Sequence, residues 1–206
     1  MSHKITFDGN LITPSKVVCV GRNYAEHISE LGNEIPTEPV IFLKPNSSVS
    51  HEIYCHKNGE IHYEAELSFL IIDGRIAGVG FGLDLTKRLI QSKLKSKGLP
   101  WERAKAFDHA AVFSEFVKVD GNIADLHLEL NINGELRQSG GCDMMLNKPE
   151  SLLKEISTFM TLEDGDIIMT GTPKGVGVVR EGDLFFGVVS DKNDVLLECK
   201  WRVSVI

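Results

Sequence analysis

The 206-residue chain has few cysteines, and none of them are close together: Cys19, Cys55, Cys142 and Cys199 form no CxxC pair. The spacing supports no zinc or dithiol motif, and four reduced thiols are what a cytoplasmic protein is expected to carry. Positive charge is scarce as well. Lys and Arg number 22 against 29 Asp and Glu, a net charge of −7, and the basic residues cluster only in one short helical stretch. Such a distribution offers no nucleic-acid-binding face, although a local group of cations can still meet a small anion. The opening MSHKITFDGN lacks the apolar core of a signal peptide, and no apolar run is long enough to span a bilayer, so no membrane partner is expected. Repeats, low-complexity tracts and linkers are also missing, which makes residues 1–206 a single expected domain.

Strand signals dominate what remains. KITF and NLIT flank Asp8-Gly9-Asn10, and LHLELNINGELRQ places Asn133-Gly134 between two runs, both hairpin signatures. KVVCV, DIIMT, DLFFGVV and VLLECKWRVSVI follow the same pattern, so the fold is expected to be β-rich, α+β, with a few helices. Three helices are predicted. NYAEHISELG has Asn23 as its N-cap and Gly32 as its stop. DLTKRLIQSKLKSKG begins near Asp84 or Thr86 and stops at Gly98. PESLLKEISTFM places Leu152, Leu153, Ile156, Phe159 and Met160 on one apolar face.

The segment IHYEAELSFLI, residues 61–71, carries an apolar row of Ile61, Tyr63, Ala65, Leu67, Phe69 and Ile71. His62, Glu64, Glu66 and Ser68 form the opposite row. Alternate strand residues point the same way, so Glu64 and Glu66 are brought close on one face. A solvated face of an antiparallel sheet accounts for them; so does a cation that both carboxylates hold. Asp84 is likewise either a helix cap or a third oxygen ligand. Three carboxylates without His or Cys favour Mg²⁺ or Mn²⁺, with Ca²⁺ as a further candidate, over Zn²⁺. His27 and Glu30, at i and i+3, are an ordinary surface pair or a general base with its orienting carboxylate. The glycines of TGTPKGVG, residues 170–177, would let backbone N–H groups approach an anion, but the spacing is not that of a P-loop. Lys105 and Arg22 are isolated cations that say little alone.

Taken together, VCVGRNYAEHISELG, PVIFLKPNSSV, IHYEAELSFLI, GLDLTKR, KGLPWERAKAFD, NGELRQ and LEDGDIIMTGTPKGVG resemble the fumarylacetoacetate hydrolase family. The likeness is strongest to its short acylpyruvase and oxaloacetate decarboxylase branch. The pieces run in the family's order and cover most of residues 16–190. The resemblance implies a roll of mixed β-sheets with a divalent metal at its mouth, in a homodimer. It implies metal ligands at Glu64, Glu66 and Asp84, a lid pair at His27 and Glu30, and an active-site lysine at Lys105. Arg22, Gln91 and Thr172 are the substrate contacts it suggests. Three departures stand out: a short connection between ELSFLIIDG and GLDLTKR, Leu89 where an acidic residue is usual, and no proline after DHAAVFSEF.

The activity so implied is a Mg²⁺- or Mn²⁺-dependent hydrolase or lyase acting on a small anionic 2-oxo acid. It would cleave C–C bonds of acylpyruvate-type 2,4-dioxo acids, decarboxylate oxaloacetate through an enolate, or both. The His27–Glu30 pair favours water chemistry. The alternatives are a 2-oxo acid isomerase or tautomerase on the same metal site, and a silent protein that only binds a metal and a dicarboxylate.

Overall fold

The computed structural model describes residues 3–30, 34–57 and 59–206. A nine-stranded mixed sheet forms its centre, in the spatial order Asn10–Ile12, Ile5–Phe7, Ala111–Lys118, Arg75–Asp84, Ala65–Ile72, Ile167–Met169, Lys16–Gly21 and Val40–Pro45, with Val49–Ser50 beside Ala111–Lys118. Ile5–Phe7 and Val49–Ser50 run parallel to Ala111–Lys118, as Ile167–Met169 does to Lys16–Gly21; the other pairs are antiparallel. An antiparallel four-stranded sheet, Glu135–Gly141, His127–Ile132, Leu184–Ser190 and Val195–Arg202, packs against it. The fold is the expected β-rich α+β roll. Among the described residues no helix is long and apolar enough to cross a membrane.

The local turn chemistry acts as the sequence suggests. Asp8-Gly9 and Asn133-Gly134 both have positive φ at each residue, the requirement of a two-residue hairpin turn. A third such turn, Asp73-Gly74, joins Ala65–Ile72 directly to Arg75–Asp84 and accounts for the short connection noted above. Between the two sheets lie Leu67, Phe69, Phe81, Leu128, Leu130 and Phe185. On the other side of the large sheet, Phe113, Phe116, Leu70 and Met169 close a second core.

Among the described residues there are four α-helices: α1 (Ala25–Glu30), α2 (Arg88–Ser96), α3 (Glu102–Lys105) and α4 (Pro149–Ser157). α4 lays Leu152 and Ile156 on Val18, Val20, Ile71 and Ile168, but Phe159 lies beyond its end and is exposed. Asn23 does not cap α1. Its amide donates to the carbonyls of Asn147 and Thr170, fastening the segment before α1 to two other loops. Gly32 lies outside the described residues. α2 begins at Arg88, so Asp84 and Thr86 are not its caps; Asp84 is the last residue of a strand. The one-turn α3 has too little local signal to be predicted and is held by its neighbours.

A buried carboxylate joins two of the central strands. Asp166 accepts hydrogen bonds from Ser15 N (3.1 Å), Ser15 Oγ (2.7 Å), Lys16 N (3.0 Å) and Glu163 N (2.8 Å), and pairs with Lys16 Nζ. Burial alone would raise its carboxyl, but these bonds outweigh burial and hold it below the ordinary carboxylate range. Its stabilisation is complete above the ordinary Asp range and is lost as pH falls through the depressed folded value. Asp166→Ala is expected to cost about 3 kcal/mol, because it strands Lys16 and several backbone N–H groups. Urea unfolding at neutral pH measures the loss.

Candidate metal and substrate site

The register of one hairpin assembles the acidic cluster. Glu66 pairs with Gly82 and Ala65 with Leu83 across the two long strands, and Asp84 N donates to Glu64 O at 2.8 Å. The segment read as one continuous strand breaks at Glu64, between His62–Tyr63 and Ala65–Ile72. Both its faces are covered, so the solvated-face explanation fails: Glu64, Glu66 and Asp84 are 7%, 2% and 1% exposed. One oxygen from each of the three lies within 4.8 Å of the other two. His62 sits apart, half-buried and bridged through its backbone to Thr86.

Protein cations engage two of the three carboxylates. Lys105, on α3, donates to Glu64 Oε2 (2.8 Å), Asp84 Oδ2 (2.7 Å) and Thr86 Oγ1 (2.6 Å), which commits all three of its hydrogens. Arg88 pairs with Glu64 Oε1 and donates to Gln91 Oε1 at 2.8 Å. Lys44 is fully buried, with Nζ 2.8 Å from Asp84 Oδ1 and also donating to the carbonyls of Lys105 and Leu85. At Asp84 Oδ1 the contact with Lys44 is one of charge, without hydrogen-bond geometry. Lys44 and Arg88 were not singled out from the sequence. A lysine inside the apolar run PVIFLKP, and an arginine one helical turn before Gln91, were the available signals.

Glu66 differs from its neighbours. It accepts Gly171 N at 2.8 Å and makes no ion pair among the described residues. Burial, then the charges of Asp84 and Glu64, push its carboxyl well above the ordinary range. Glu64 moves the other way: burial opposes ionisation, but Lys105 and Arg88 prevail and hold it low. Burial likewise disfavours the Lys105 ammonium, and Asp84 and Glu64 overcome that and raise it. The donor set is all carboxylate oxygen, buried, convergent and incompletely neutralised at Glu66. That fits a hard divalent cation such as Mg²⁺, Mn²⁺ or Ca²⁺.

His27 is 6% exposed, and its Nδ1 lies 3.1 Å from Glu30 Oε2. Gly175 N donates to both Glu30 oxygens at 3.2 Å, tying α1 to the glycine-rich loop. In that same loop Gly171 has φ +91, and a Cβ there would meet Asn23 Cβ at 2.9 Å, so only glycine presents this N–H to Glu66. A cavity of about 50 Å³ beside the acidic cluster is lined by Arg22, His27, Glu64, Gln91 and Lys105, among others. Thr172 is buried one residue beyond Gly171 and is not among the residues that line this cavity. Its hydroxyl donates to Ala65 O and accepts from Gln138 Nε2, both at 2.8 Å. The structure therefore brings Glu64, Glu66, Asp84, Lys105, His27, Glu30, Arg22 and Gln91 together, with the hydroxyl of Thr172 engaged by the scaffold.

Comparison with known proteins gives a consistent picture. The family model for the fumarylacetoacetate (FAA) hydrolase C-terminal domain matches residues 16–199. The oxaloacetate tautomerase YcgM of Escherichia coli (strain K12) is 42% identical over 187 residues, 82% of this chain and 85% of that protein. The mitochondrial oxaloacetate decarboxylase of Dictyostelium discoideum is 41% identical over 192 residues, 84% of this chain and 87% of that protein. Among solved structures, fumarylpyruvate hydrolase from Pseudomonas aeruginosa in complex with Mn²⁺ and pyruvate superposes with a TM-score of 0.88 at 30% identity, covering 100% of this chain and 97% of that one.

Proposed function

Because the chain belongs to the fumarylacetoacetate hydrolase family and is an enzyme of it, we propose that it interconverts the keto and enol forms of a small 2-oxo acid, oxaloacetate foremost. Metal-dependent activity is the common ground of the enzymatic expectations from sequence, and the family and its relatives support it over a silent binder. The observation that carries the finer choice is the small size of the cavity. With His27 buried, about 50 Å³ beside the acidic cluster favours a compact substrate over one with a long acyl group. Expectation from sequence put hydrolysis and decarboxylation first; the small cavity supports enolisation over hydrolysis of long acylpyruvates, and the tautomerase name of the Escherichia coli relative supports it over decarboxylation. The names of the relatives point toward oxaloacetate as the compound acted on.

Glu64, Glu66 and Asp84 would hold the Mg²⁺ or Mn²⁺. Bound there, such an ion acts as a Lewis acid that polarises the 2-oxo group. His27 has Nδ1 engaged by Glu30, which leaves Nε2 to carry a proton from carbon 3 of the substrate to its 2-oxo oxygen as the enol forms, and back again on return to the keto form. Glu30, itself held by Gly175 N, keeps the ring oriented. Lys105 has no hydrogen to spare for substrate. Its role is to fix Glu64 and Asp84 and to supply positive potential where negative charge grows on the substrate oxygen. Gln91 and Arg22 complete the wall.

The test is a panel of enol-oxaloacetate, acetylpyruvate and keto-oxaloacetate, each with Mg²⁺, Mn²⁺ or EDTA. Loss of the enol absorbance is expected to outpace both acetylpyruvate cleavage and CO₂ release, and EDTA is expected to abolish it. His27→Ala should slow it about a hundredfold with metal binding unchanged. Acetylpyruvate cleavage faster than enol conversion would instead establish the hydrolase reading, for which the oriented His27–Glu30 pair is the supporting observation.

A further inference from the structure

Each buried carboxylate of the acidic cluster has one oxygen engaged by a group outside the cluster. Arg88 pairs with Glu64 Oε1. Gly171 N donates to Glu66 Oε2 at 2.8 Å. Lys44 Nζ lies 2.8 Å from Asp84 Oδ1. The second oxygens of Glu64 and Asp84 turn toward each other. Lys105 Nζ sits 2.8 Å from Glu64 Oε2 and 2.7 Å from Asp84 Oδ2, so one cationic atom already reaches both. Glu66 Oε1 is the oxygen that Gly171 leaves.

Of these outer partners Lys44 is the least able to withdraw. Its side chain is fully buried, its ammonium also donates to the carbonyls of Lys105 and Leu85, and it lies 6.0 Å from the centre of the Phe107 ring. A dication on Asp84 Oδ1 would meet that ammonium away from water, where like charges repel most strongly. The Arg88 guanidinium has the same effect at Glu64 Oε1. The cluster can therefore offer a cation one oxygen from each carboxylate. Ca²⁺ takes about six to eight oxygens and draws on bidentate carboxylates to reach that number. Mn²⁺ is served by an octahedron, which single oxygens and waters can complete.

We infer that Lys44, with Arg88 and Gly171 N, confines each carboxylate to a single ligating oxygen and so admits Mn²⁺ in preference to Ca²⁺. This rests on the cation site of the proposed function and is independent of the reaction assigned to it. Lys44 is then a positioning residue that acts through Asp84.

Calorimetric titration of the chelator-treated full chain with Mn²⁺ and with Ca²⁺, without substrate, is the test. The wild type is expected to bind Mn²⁺ at least about thirtyfold more tightly than Ca²⁺, and Lys44→Met to cut that ratio about tenfold by freeing Asp84 Oδ1. Loss of a positive charge near the site tightens both ions, so their ratio isolates the effect of the freed oxygen. Arg88→Met, at a side chain 16% exposed, should lower the ratio through Glu64 Oε1, and it decides the matter if Lys44→Met does not fold. An unchanged ratio in a folded variant overturns the assignment. So does a wild type that binds Ca²⁺ as tightly as Mn²⁺, or that takes up neither. A wild type with the expected ratio but no keto–enol turnover would count against the proposed reaction and leave the role of Lys44 standing.

Discussion

Glu66→Gln is expected to lower Mn²⁺ affinity at least about a hundredfold while leaving the metal-free protein as stable as the wild type or more so. The two effects have opposite signs for one reason. Glu66 is the carboxylate of the three without an ion pair among the described residues, and burial, then the charges of Asp84 and Glu64, already press its carboxyl toward the neutral form. Removing its charge relieves a repulsion in the empty site and deletes a ligand in the filled one. The isosteric amide keeps the carbonyl oxygen that Gly171 N bonds to, so local packing is preserved. Calorimetric titration with Mn²⁺ reads the first effect and thermal unfolding in EDTA reads the second. A purely structural Glu66 would instead lose stability on substitution and show no change in metal uptake.

Lys105→Met is expected to do the reverse. Turnover of oxaloacetate should fall about a thousandfold, since preorganised positive charge at the reacting oxygen is removed, while Mn²⁺ still binds. Its ammonium bridges Glu64, Asp84 and Thr86, so without it two buried carboxylates face each other. The metal-free variant should therefore be less stable by about 3 kcal/mol or more, and saturating Mn²⁺ should recover most of that. Steady-state kinetics together with unfolding, with and without Mn²⁺, separates this outcome from a simple folding defect. A folding defect would lower stability equally in both conditions.

Legibility of the sequence followed the range of the forces involved. Hairpins at Asp8-Gly9 and Asn133-Gly134 are set by the backbone freedom of the turn residues, and the sequence is enough to place them. The pairing of Glu64 with Glu66 on one face is equally local. Whether that face was wet or buried was not local: it depended on Arg75–Asp84 and the glycine-rich loop folding over it. Asp84 was ambiguous because a carboxylate before a helix satisfies cap chemistry as well as ligand chemistry. The ambiguity ended only when α2 proved to begin at Arg88. Lys44 lies 40 positions before Asp84 in the chain, and no pattern in PVIFLKP shows that its ammonium will meet a carboxylate on another strand. α3 is a single turn whose position comes from packing, so Lys105 looked like an isolated cation until the family resemblance was considered.

The proposed chemistry requires Glu64, Glu66 and Asp84 to act as one cation site. Titrating Mn²⁺ into the chelator-treated wild-type chain tests this most directly, by calorimetry and by the shift in unfolding temperature. The prediction is a single tight site per chain whose occupation raises the unfolding temperature progressively with free Mn²⁺. Absence of both binding heat and stabilisation at millimolar Mn²⁺ or Mg²⁺ would contradict it.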